Sequence, residues 1–520
     1  MEMALKKRYV IFFGCLTALC SGGLSGFIFP PFHGAFLGYA AFVSFLIFLF
    51  FNERSKKELF WYSYIFGFAF FAACFSWINN ALLVDEERLG SFVPLTVFAI
   101  GSFFGLFWAI PAAVSGFFRN IYSRMLSFAG VFVFMEWVRS FIFTGFPWNL
   151  LGTALAFDVR LIAGAKYIGT YGLSLCLLLF CLGISLILVC LLKRQWCWQS
   201  LGFVLVPFGF VLAASFSFES VDDLSGLTVR LVQPSIPQTL KWNKESLYQN
   251  FRKYIDLSKE NSLDDVDVVV WGETASPYFL DHDAEHLSEL LEAVPDKGFL
   301  LTGVLRLSME NGVIIPYNSM FVINHEGQIK DYYDKAHLVP FGEYLPFREY
   351  LPEFMHSVAD IIGDLGQGEK HKNIRVAGLP LMGGAICYES IFPKDVINQK
   401  NRPEILVVLA NDGWYGISAG PYQHFVAAQM RAIEEGITVI RSGNNGISGV
   451  IAPNGEVLGV IRLDEVGVSD VKLPKVLFVK TLYGQYGNAI PLILILLVLL
   501  LAIATNFGVF LKFKNTTYGL

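Results

Sequence analysis

The apolar positions divide the chain into two kinds of sequence. Long, almost uninterrupted apolar runs fill the chain up to about residue 217, mixed sequence follows to about residue 487, and a further apolar run comes after it. A helix needs about 20 apolar residues to cross about 30 Å of hydrocarbon. The pattern therefore predicts eight membrane-spanning helices, at residues 9–28, 33–51, 59–82, 92–116, 126–143, 167–191, 200–217 and 488–511.

The mixed sequence alternates between strand-like and helix-like patterns. Its near-continuous apolar runs are typical of strands buried on both faces, and they predict strands at 266–271, 299–307, 318–324, 379–386 and 404–410. Residues 421–436 are amphipathic and end at a glycine, which predicts a helix, and NHEG and PNGE predict hairpin turns. We expect an α/β fold whose strand ends carry the chemistry.

These patterns predict three regions: an N-terminal membrane domain of seven helices (1–217), a mixed domain (218–487), and a C-terminal membrane helix with a short tail (488–520).

A mean hydropathy of +0.52, with 54% hydrophobic and 16% charged residues, is typical of a membrane protein. The net charge of −5 gives no indication of a nucleic-acid partner. The first apolar run is long and lacks a clear cleavage site, so we expect a retained helix rather than a signal peptide.

The charges of the short loops predict the orientation in the membrane. The loop at 84–90 is mostly acidic, and short basic loops stay on the cytoplasmic side. We therefore expect both termini in the cytoplasm and the mixed domain outside it, in the periplasm of a diderm bacterium whose inner membrane holds the protein. The basic loops that support this are 6–8, 52–58, 118–124, 193–194 and Lys512 with Lys514.

Cys387 stands at the end of a strand pattern in LPLMGGAICYESIFP, and the other seven cysteines lie in or beside the apolar N-terminal half. A lone thiol in the mixed domain cannot form a disulfide within it. A second cysteine or a histidine at metal-ligand spacing is also missing from the nearby sequence. This pattern alone leaves two readings open, a small buried core residue and a nucleophile.

Two other strand ends carry ionisable groups. Glu273 follows VDVVVW and a glycine, a position also typical of a solvated loop acid. Lys335 and Glu343 follow a second strand in IKDYYDKAHLVPFGEYLPF, where a lysine would ordinarily be a surface charge. Together an acid, a lysine and a thiol supply a base, an electrophilic donor and a nucleophile, which suffices for acyl transfer through a thioester.

The order Glu, Lys, Cys in WGETASP, YYDKAHLVPFGEYLPF and GGAICYESIFP resembles the carbon–nitrogen hydrolase (nitrilase) superfamily. The membrane helices, and LVQPSIPQTLKW at the start of the mixed domain, resemble its bacterial apolipoprotein N-acyltransferase family along the whole chain. The resemblance implies an αββα sandwich in which Glu273 is the general base, Lys335 stabilises the oxyanion and Cys387 is the nucleophile. A free thiol has a pKa of about 8.5, so a base at this position is chemically reasonable.

The same resemblance implies supporting residues. Glu343 is expected to support the lysine as a second acid, and Trp242, Tyr388 and Glu389 are expected to line or brace the site. Trp414 is a further aromatic near these motifs, and with Trp242 and Tyr388 it is a candidate for closing the site over a thioester.

The resemblance also implies a two-step reaction. Cys387 attacks a phospholipid ester, usually the sn-1 chain of phosphatidylethanolamine, and the acyl chain then passes to the N-terminal α-amine of the diacylglyceryl-cysteine of an apolipoprotein. Eight spans favour a lipid donor independently, because a soluble amidase would not require them. Residues 144–157 are apolar but contain glycine, proline and asparagine, which fits an interfacial or re-entrant segment and equally a plain extracellular loop.

Other functions stay open at this stage. A membrane-tethered amidase or nitrilase would use water as the acceptor, and a receptor or scaffold would keep the fold without catalysis. GISAG at 416–420 matches the serine-hydrolase pattern at Ser418, but the preceding strand pattern ends near Ala410, so we interpret the segment as a loop and His424 as a helix residue. Without a GxGxxG, Walker or HExxH pattern, we expect neither a cofactor nor a metal.

Overall fold

A computed structural model describes residues 2–32, 36–195, 197–221, 223–224, 226–344, 364–476 and 480–508. Lys512, Lys514 and the end of the predicted C-terminal tail lie outside these residues. The chain forms two compact units, which we call the helical unit and the two-sheet unit. The helical unit comprises Met1–Asn79, Glu87–Ser217 and Tyr486–Leu520, and the two-sheet unit comprises Asn80–Glu86 and Phe218–Gln485.

All eight apolar regions predicted to span the membrane contain helix. Among the described residues, six helices are long and apolar enough to cross a membrane, and a pair bent by 48°, Lys56–Cys74 with Ser76–Leu83, makes seven if counted as one span. Phe36–Phe50 has 15 residues and reaches about 22 Å at 1.5 Å per residue, which is shorter than the hydrocarbon layer. Eight spans were predicted, whereas helix length and composition support six or seven among the described residues.

The helices of at least ten residues that contribute to the helical unit are Glu2–Ser25, Phe36–Phe50, Lys56–Cys74, Val93–Ser115, Ile121–Val138, Ala165–Leu192, Trp198–Ser215 and Ala489–Asn506. Residues 144–157 form no long helix; they contain the short turn Leu151–Leu155, and Trp148 is buried against Trp77. The carboxylate of Glu136 accepts a hydrogen bond from the Leu151 N–H at 2.7 Å. Buried packing therefore holds this segment to the rest of the helical unit.

The described part of the two-sheet unit contains twelve strands in two six-stranded sheets, ordered β12-β1-β2-β3-β4-β5 and β11-β10-β9-β8-β7-β6. β1, β2 and β3 run parallel, as do β7, β8 and β9, and the NHEG and PNGE turns join the antiparallel pairs β4/β5 and β10/β11. In chain order the strands are Thr228–Gln233, Val268–Val270, Phe299–Glu310, Val313–Asn324, Ile329–Asp334, Asn373–Ile374, Met382–Ile386, Ile405–Ala410, Thr438–Gly443, Ser448–Ile451, Val457–Ile461 and Gly467–Lys472.

The two sheets pack face to face with a helical layer outside each. Leu231 and Val270 of one sheet share a buried core with Ile386 and Val407 of the other. Helix Leu247–Ser258 covers the outer face of the first sheet, and helix Ala419–Glu435 covers that of the second. Each fully buried aliphatic side chain contributes roughly 1.5–3 kcal/mol to stability. The predicted αββα sandwich is confirmed.

The two-sheet unit also contributes residues to three shorter helices, which are Gln238–Lys241, Ala284–Leu290 and Leu482–Tyr486. The predicted helix at 421–436 corresponds to Ala419–Glu435, and Gly436 ends it with a φ of 64°. This left-handed conformation is the reason for a glycine at that position, because a side chain would be strained there.

Candidate active site

The three residues proposed for catalysis follow the ends of three strands. Glu273 comes shortly after β2, Lys335 directly after β5 and Cys387 directly after β7. All three are buried, and Lys335 Nζ lies 3.5 Å from Glu273 Oε1. The charges of Glu273 and Lys335 both act on the Cys387 thiol. The fold therefore brings together three side chains, the first and last of which are more than 100 residues apart in the sequence.

Lys335 is a fixed cation. Its ammonium donates to Glu343 Oε1 at 2.7 Å, and the other carboxylate oxygen of Glu343 accepts from the Val339 N–H at 2.8 Å. Burial by itself lowers the pKa of Lys335, but the nearby charges of Glu343 and Glu273 outweigh it and raise that pKa above its ordinary value. The structure thus places Glu343 where it can hold the lysine protonated.

Cys387 occupies a strained turn at the edge of the second sheet. Its φ of 52° lies in the left-handed region, which costs a residue other than glycine about 1–3 kcal/mol. Burial, and then the charge of Glu273, raise the pKa of the thiol, whereas Lys335 acts in the opposite direction. The neutral thiol therefore predominates at neutral pH, and a base must accept its proton when the sulfur attacks.

Glu389 connects the turn of Cys387 to the loop that carries Lys335. Its carboxylate accepts hydrogen bonds from the backbone N–H groups of Ala336, His337 and Ile386 at 2.7–2.9 Å, and from the Tyr333 hydroxyl. Burial raises the pKa of Glu389 to about 7, although each of these donors favours the ionised form. The residue braces two of the three strand ends.

The predicted aromatic residues differ in their surroundings. Tyr388 is buried, with its ring against those of His337 and Phe392. Trp242 and Trp414 are 38% and 40% exposed, so the structure shows them at the surface of the two-sheet unit rather than packed within the catalytic cluster.

Two polar residues of this cluster escaped the sequence analysis. Asn318 lies in the middle of β4 and donates its amide to Glu273 Oε1 at 2.8 Å and to Glu343 Oε1 at 3.1 Å. An asparagine inside an apolar strand pattern was the available signal. Lys241 donates to the carbonyl oxygen of Glu273 at 2.8 Å, and burial lowers its pKa to about 8. In QTLKW this lysine resembles an ordinary surface charge.

A third group beside Cys387 was also missed. His424 lies in the predicted helix, but its Nε2 is 2.9 Å from the carbonyl oxygen of Cys387, and its Nδ1 is 2.8 Å from Asp412 Oδ1. Ligand atoms of Cys387, Asp412 and His424 lie within 4.8 Å of one another, although the sequence spacing indicated no such group. Arg441 already donates to Asp412 Oδ2 at 2.6 Å, and this buried guanidinium disfavours a divalent cation there.

The GISAG match is a helix cap. Ser418 has an extended backbone with a φ of −150°, and its hydroxyl accepts from the Gly420 N–H at the start of helix Ala419–Glu435. A nucleophilic serine of this motif would sit on a strained strand-to-helix turn, whereas β8 ends at Ala410. The segment is therefore a loop only up to Ser418, because helix Ala419–Glu435 begins within the match.

Comparisons with known proteins match both parts of the chain. Residues 228–478 match the carbon-nitrogen hydrolase family model, and residues 21–184 match the model of the apolipoprotein N-acyltransferase N-terminal domain. An apolipoprotein N-acyltransferase of Rhodopseudomonas palustris is 32% identical over 84% of this chain and 84% of its own length. Those of Brucella melitensis and Rickettsia bellii are 36% and 34% identical, over 84% and 93% of this chain and 83% and 96% of their own lengths. The chain therefore belongs to the apolipoprotein N-acyltransferase family, with a carbon–nitrogen hydrolase domain as its two-sheet unit.

Proposed function

We propose that this protein transfers an acyl chain from a phospholipid, through a thioester on Cys387, to the N-terminal α-amine of the diacylglyceryl-cysteine of apolipoproteins. The observation that carries the proposal is the similarity to apolipoprotein N-acyltransferases over at least 84% of the chain, which includes the apolar N-terminal part. A water-using amidase needs only the two-sheet unit. The apolar helices favour a membrane lipid as donor, and we propose phosphatidylethanolamine.

In the first step, the sulfur of Cys387 attacks the ester carbonyl carbon while its proton passes to the Glu273 carboxylate. The ammonium of Lys335 and the backbone N–H next to Cys387 stabilise the oxyanion of the tetrahedral intermediate. The ester C–O bond then breaks, and the proton on Glu273 passes to the leaving oxygen of the lysophospholipid.

In the second step, the neutral α-amine of the acceptor attacks the thioester carbonyl and gives a proton to Glu273. The C–N bond forms, the C–S bond breaks, and the thiolate of Cys387 recovers a proton. Glu273 thus acts as a base and then as an acid in each half-reaction, while Lys335 keeps its charge throughout.

We propose supporting roles for the residues near these groups. Glu343 keeps Lys335 protonated and in place, and Glu389 braces the turn of Cys387. Trp242 and Trp414, which lie at the surface, would close over the thioester with Tyr388 until the amine arrives, because a thioester open to solvent would be hydrolysed.

The proposal includes a location. The protein lies in a bacterial inner membrane, with both termini in the cytoplasm and the two-sheet unit in the periplasm, where apolipoprotein substrates would meet it. The distribution of basic residues among the short loops supports this orientation.

Intact-protein mass spectrometry tests the transfer. Purified protein incubated with dipalmitoyl phosphatidylethanolamine should gain one palmitoyl mass, and a diacylated lipopeptide should then remove it and become triacylated. Cys387→Ser should bind the lipid but remain unmodified, because a serine hydroxyl is far less acidic than a thiol. An adduct released equally fast without lipopeptide would favour the amidase alternative, and a protein without an adduct would overturn the thioester.

A further inference from the structure

The carbonyl group of Cys387 is held by a buried histidine to which the reaction above assigns no role. His424 Nε2 lies 2.9 Å from this carbonyl oxygen, and the Ser390 hydroxyl donates to the same oxygen at 3.0 Å. The imidazole is fully buried. Because Cys387 has a left-handed backbone, its peptide needs partners that keep it in that conformation.

Two charged side chains hold the imidazole ring. Asp412 Oδ1 lies 2.8 Å from Nδ1 of His424, and Arg441 Nη2 donates to Asp412 Oδ2 while lying 3.2 Å from the same Nδ1. Arg441 is anchored in turn by its Nε, which donates to the carbonyl oxygen of Ile447 at 3.1 Å. The three side chains are buried, so the ring cannot rotate without losing its buried contacts with Asp412 and the Cys387 carbonyl.

The contact with the carbonyl oxygen of Cys387 is a hydrogen bond in only one form of the ring. Nδ1 of His424 has an acceptor and a donor within reach, so it can form a hydrogen bond with or without its own hydrogen. The Cys387 carbonyl only accepts, and therefore Nε2 must carry a hydrogen to bond to it. The Ser390 hydroxyl lies 3.0 Å from Nε2 and 3.0 Å from the carbonyl oxygen, and with the hydrogen on Nε2 this hydroxyl donates to the carbonyl as well. Burial and Arg441 lower the pKa of His424 while Asp412 opposes them, so the ring keeps one hydrogen at neutral pH.

We propose that His424 is a positioning residue that orients the peptide between Cys387 and Tyr388 for thioester formation, an inference that rests on the proposed function. A trans peptide is planar, so its C=O and N–H groups point in opposite directions. When His424 fixes the carbonyl, it also fixes the Tyr388 N–H on the other side of the plane. That N–H is the backbone donor proposed above to stabilise the oxyanion together with Lys335.

Three substitutions in the full-length protein separate this role from a general structural one. His424→Gln keeps a donor close to the place of Nε2, His424→Asn keeps one close to the place of Nδ1, and His424→Leu keeps neither. Two rates are measured for each variant in detergent: acylation of Cys387 by phosphatidylethanolamine, and alkylation of Cys387 by iodoacetamide. Alkylation displaces iodide and forms no oxyanion, so it reports on the thiol without the backbone donor.

We expect His424→Gln to acylate within about fivefold of the unchanged protein, and the asparagine and leucine variants to acylate at least about 30-fold more slowly. Alkylation should stay within about threefold in all three, and the KM for phospholipid should change less than kcat. If the leucine variant does not fold, the glutamine and asparagine pair decides the same question.

Several outcomes would overturn the inference. An asparagine variant as active as the glutamine variant would show that the Nδ1 contact matters instead, and a fully active leucine variant would show that neither contact does. Parallel losses of acylation and alkylation would indicate a structural role only. Failure of the proposed function looks different, because the unchanged protein would then be alkylated but would never acquire an acyl group.

Discussion

Lys335 illustrates how single contacts set the chemistry of this site. Its ammonium lies 2.7 Å from Glu343 and 3.5 Å from Glu273, so the two carboxylates compete for one cation. In the proposed mechanism Glu343, the closer carboxylate, keeps the lysine charged, so that Glu273 can exchange protons with the substrate. A charge removed from position 343 should therefore affect the chemical step more than the binding of lipid.

Glu343→Gln should lower the rate of acylation by about tenfold or more, with a smaller change in the KM for phospholipid. The neutral amide no longer stabilises the ammonium of Lys335, so less positive charge faces the oxyanion. Single-turnover acylation with phosphatidylethanolamine measures the effect. Glu369→Gln is the matched control, since it removes the same charge from an exposed position, and an equal loss in both variants would contradict the explanation.

Lys241 makes stability depend on pH. Its folded pKa of about 8 lies below the ordinary value of 10.5, so the unfolded chain binds more protons between these values. Below pH 8 the buried ammonium of Lys241 lowers the free energy of unfolding by its full amount. This destabilisation decreases as the pH rises from 8 to 10.5. A difference of this size corresponds to at most about 3 kcal/mol.

Lys241→Met removes this titration. Compared with the variant, the unchanged protein should gain apparent melting temperature as the pH is raised from 8 to 10.5, because deprotonation relieves the cost of a buried ammonium. Thermal unfolding in detergent at matched pH values measures the difference between the two proteins. A difference that is constant over this range would mean that Lys241 titrates at its ordinary pKa.

At the scale of elements, the two glycines inside β7 are needed to different degrees. A Cβ added to Gly384 would lie 2.6 Å from Cγ of Tyr333, whereas one added to Gly383 would have Pro403 Cγ as its nearest atom at 3.1 Å. Tyr333 lies on β5 in the opposite sheet and donates its hydroxyl to Glu389. Gly384 therefore lets the two sheets approach where the braced strand ends meet.

Gly384→Ala should destabilise the two-sheet unit by about 1–3 kcal/mol and slow acylation, because the Tyr333 ring must move and its hydroxyl leaves Glu389. Gly383→Ala is the matched control and should cost about 1 kcal/mol or less, since a proline ring edge needs to yield only a few tenths of an ångström. Thermal unfolding and single-turnover acylation report both effects. Equal destabilisation by the two changes would show that the sheet separation is not the cause.

The strands that could be predicted are buried ones with an apolar run that a charge does not interrupt. The buried strands β1 and β9 were missed, because Arg230 and Arg441 interrupt their patterns. β2, β3, β4, β7 and β8 lie inside the sheets and read as apolar runs. Asn373–Ile374 has only two residues, and Gly467–Lys472 is an edge strand with polar positions, so neither has a distinctive pattern. The three residues proposed for catalysis stand out in motifs, whereas Asn318, Lys241 and His424 are recognisable only once folding has brought them beside these three.

For the whole molecule, the open question is which side of the membrane carries the two-sheet unit. The charge rule works best on short loops, and the loop at 52–58 contains three basic residues and two acidic ones. Its Glu53 is exposed, and so is Glu326 in the hairpin turn between β4 and β5. These two positions therefore report on opposite sides if the proposed orientation is correct.

Cysteines at these positions test the orientation. In a protein whose seven other cysteines are replaced and Cys387 is kept, Glu326→Cys should react with a membrane-impermeant maleimide on intact spheroplasts. Glu53→Cys should react only after permeabilisation, because the proposed orientation puts its loop in the cytoplasm. Labelling of both sites in detergent controls for accessibility, and retained acylation of Cys387 shows that each variant is folded. Reaction of Glu53→Cys on intact spheroplasts, with protection of Glu326→Cys, would invert the topology and separate the site from a periplasmic apolipoprotein acceptor.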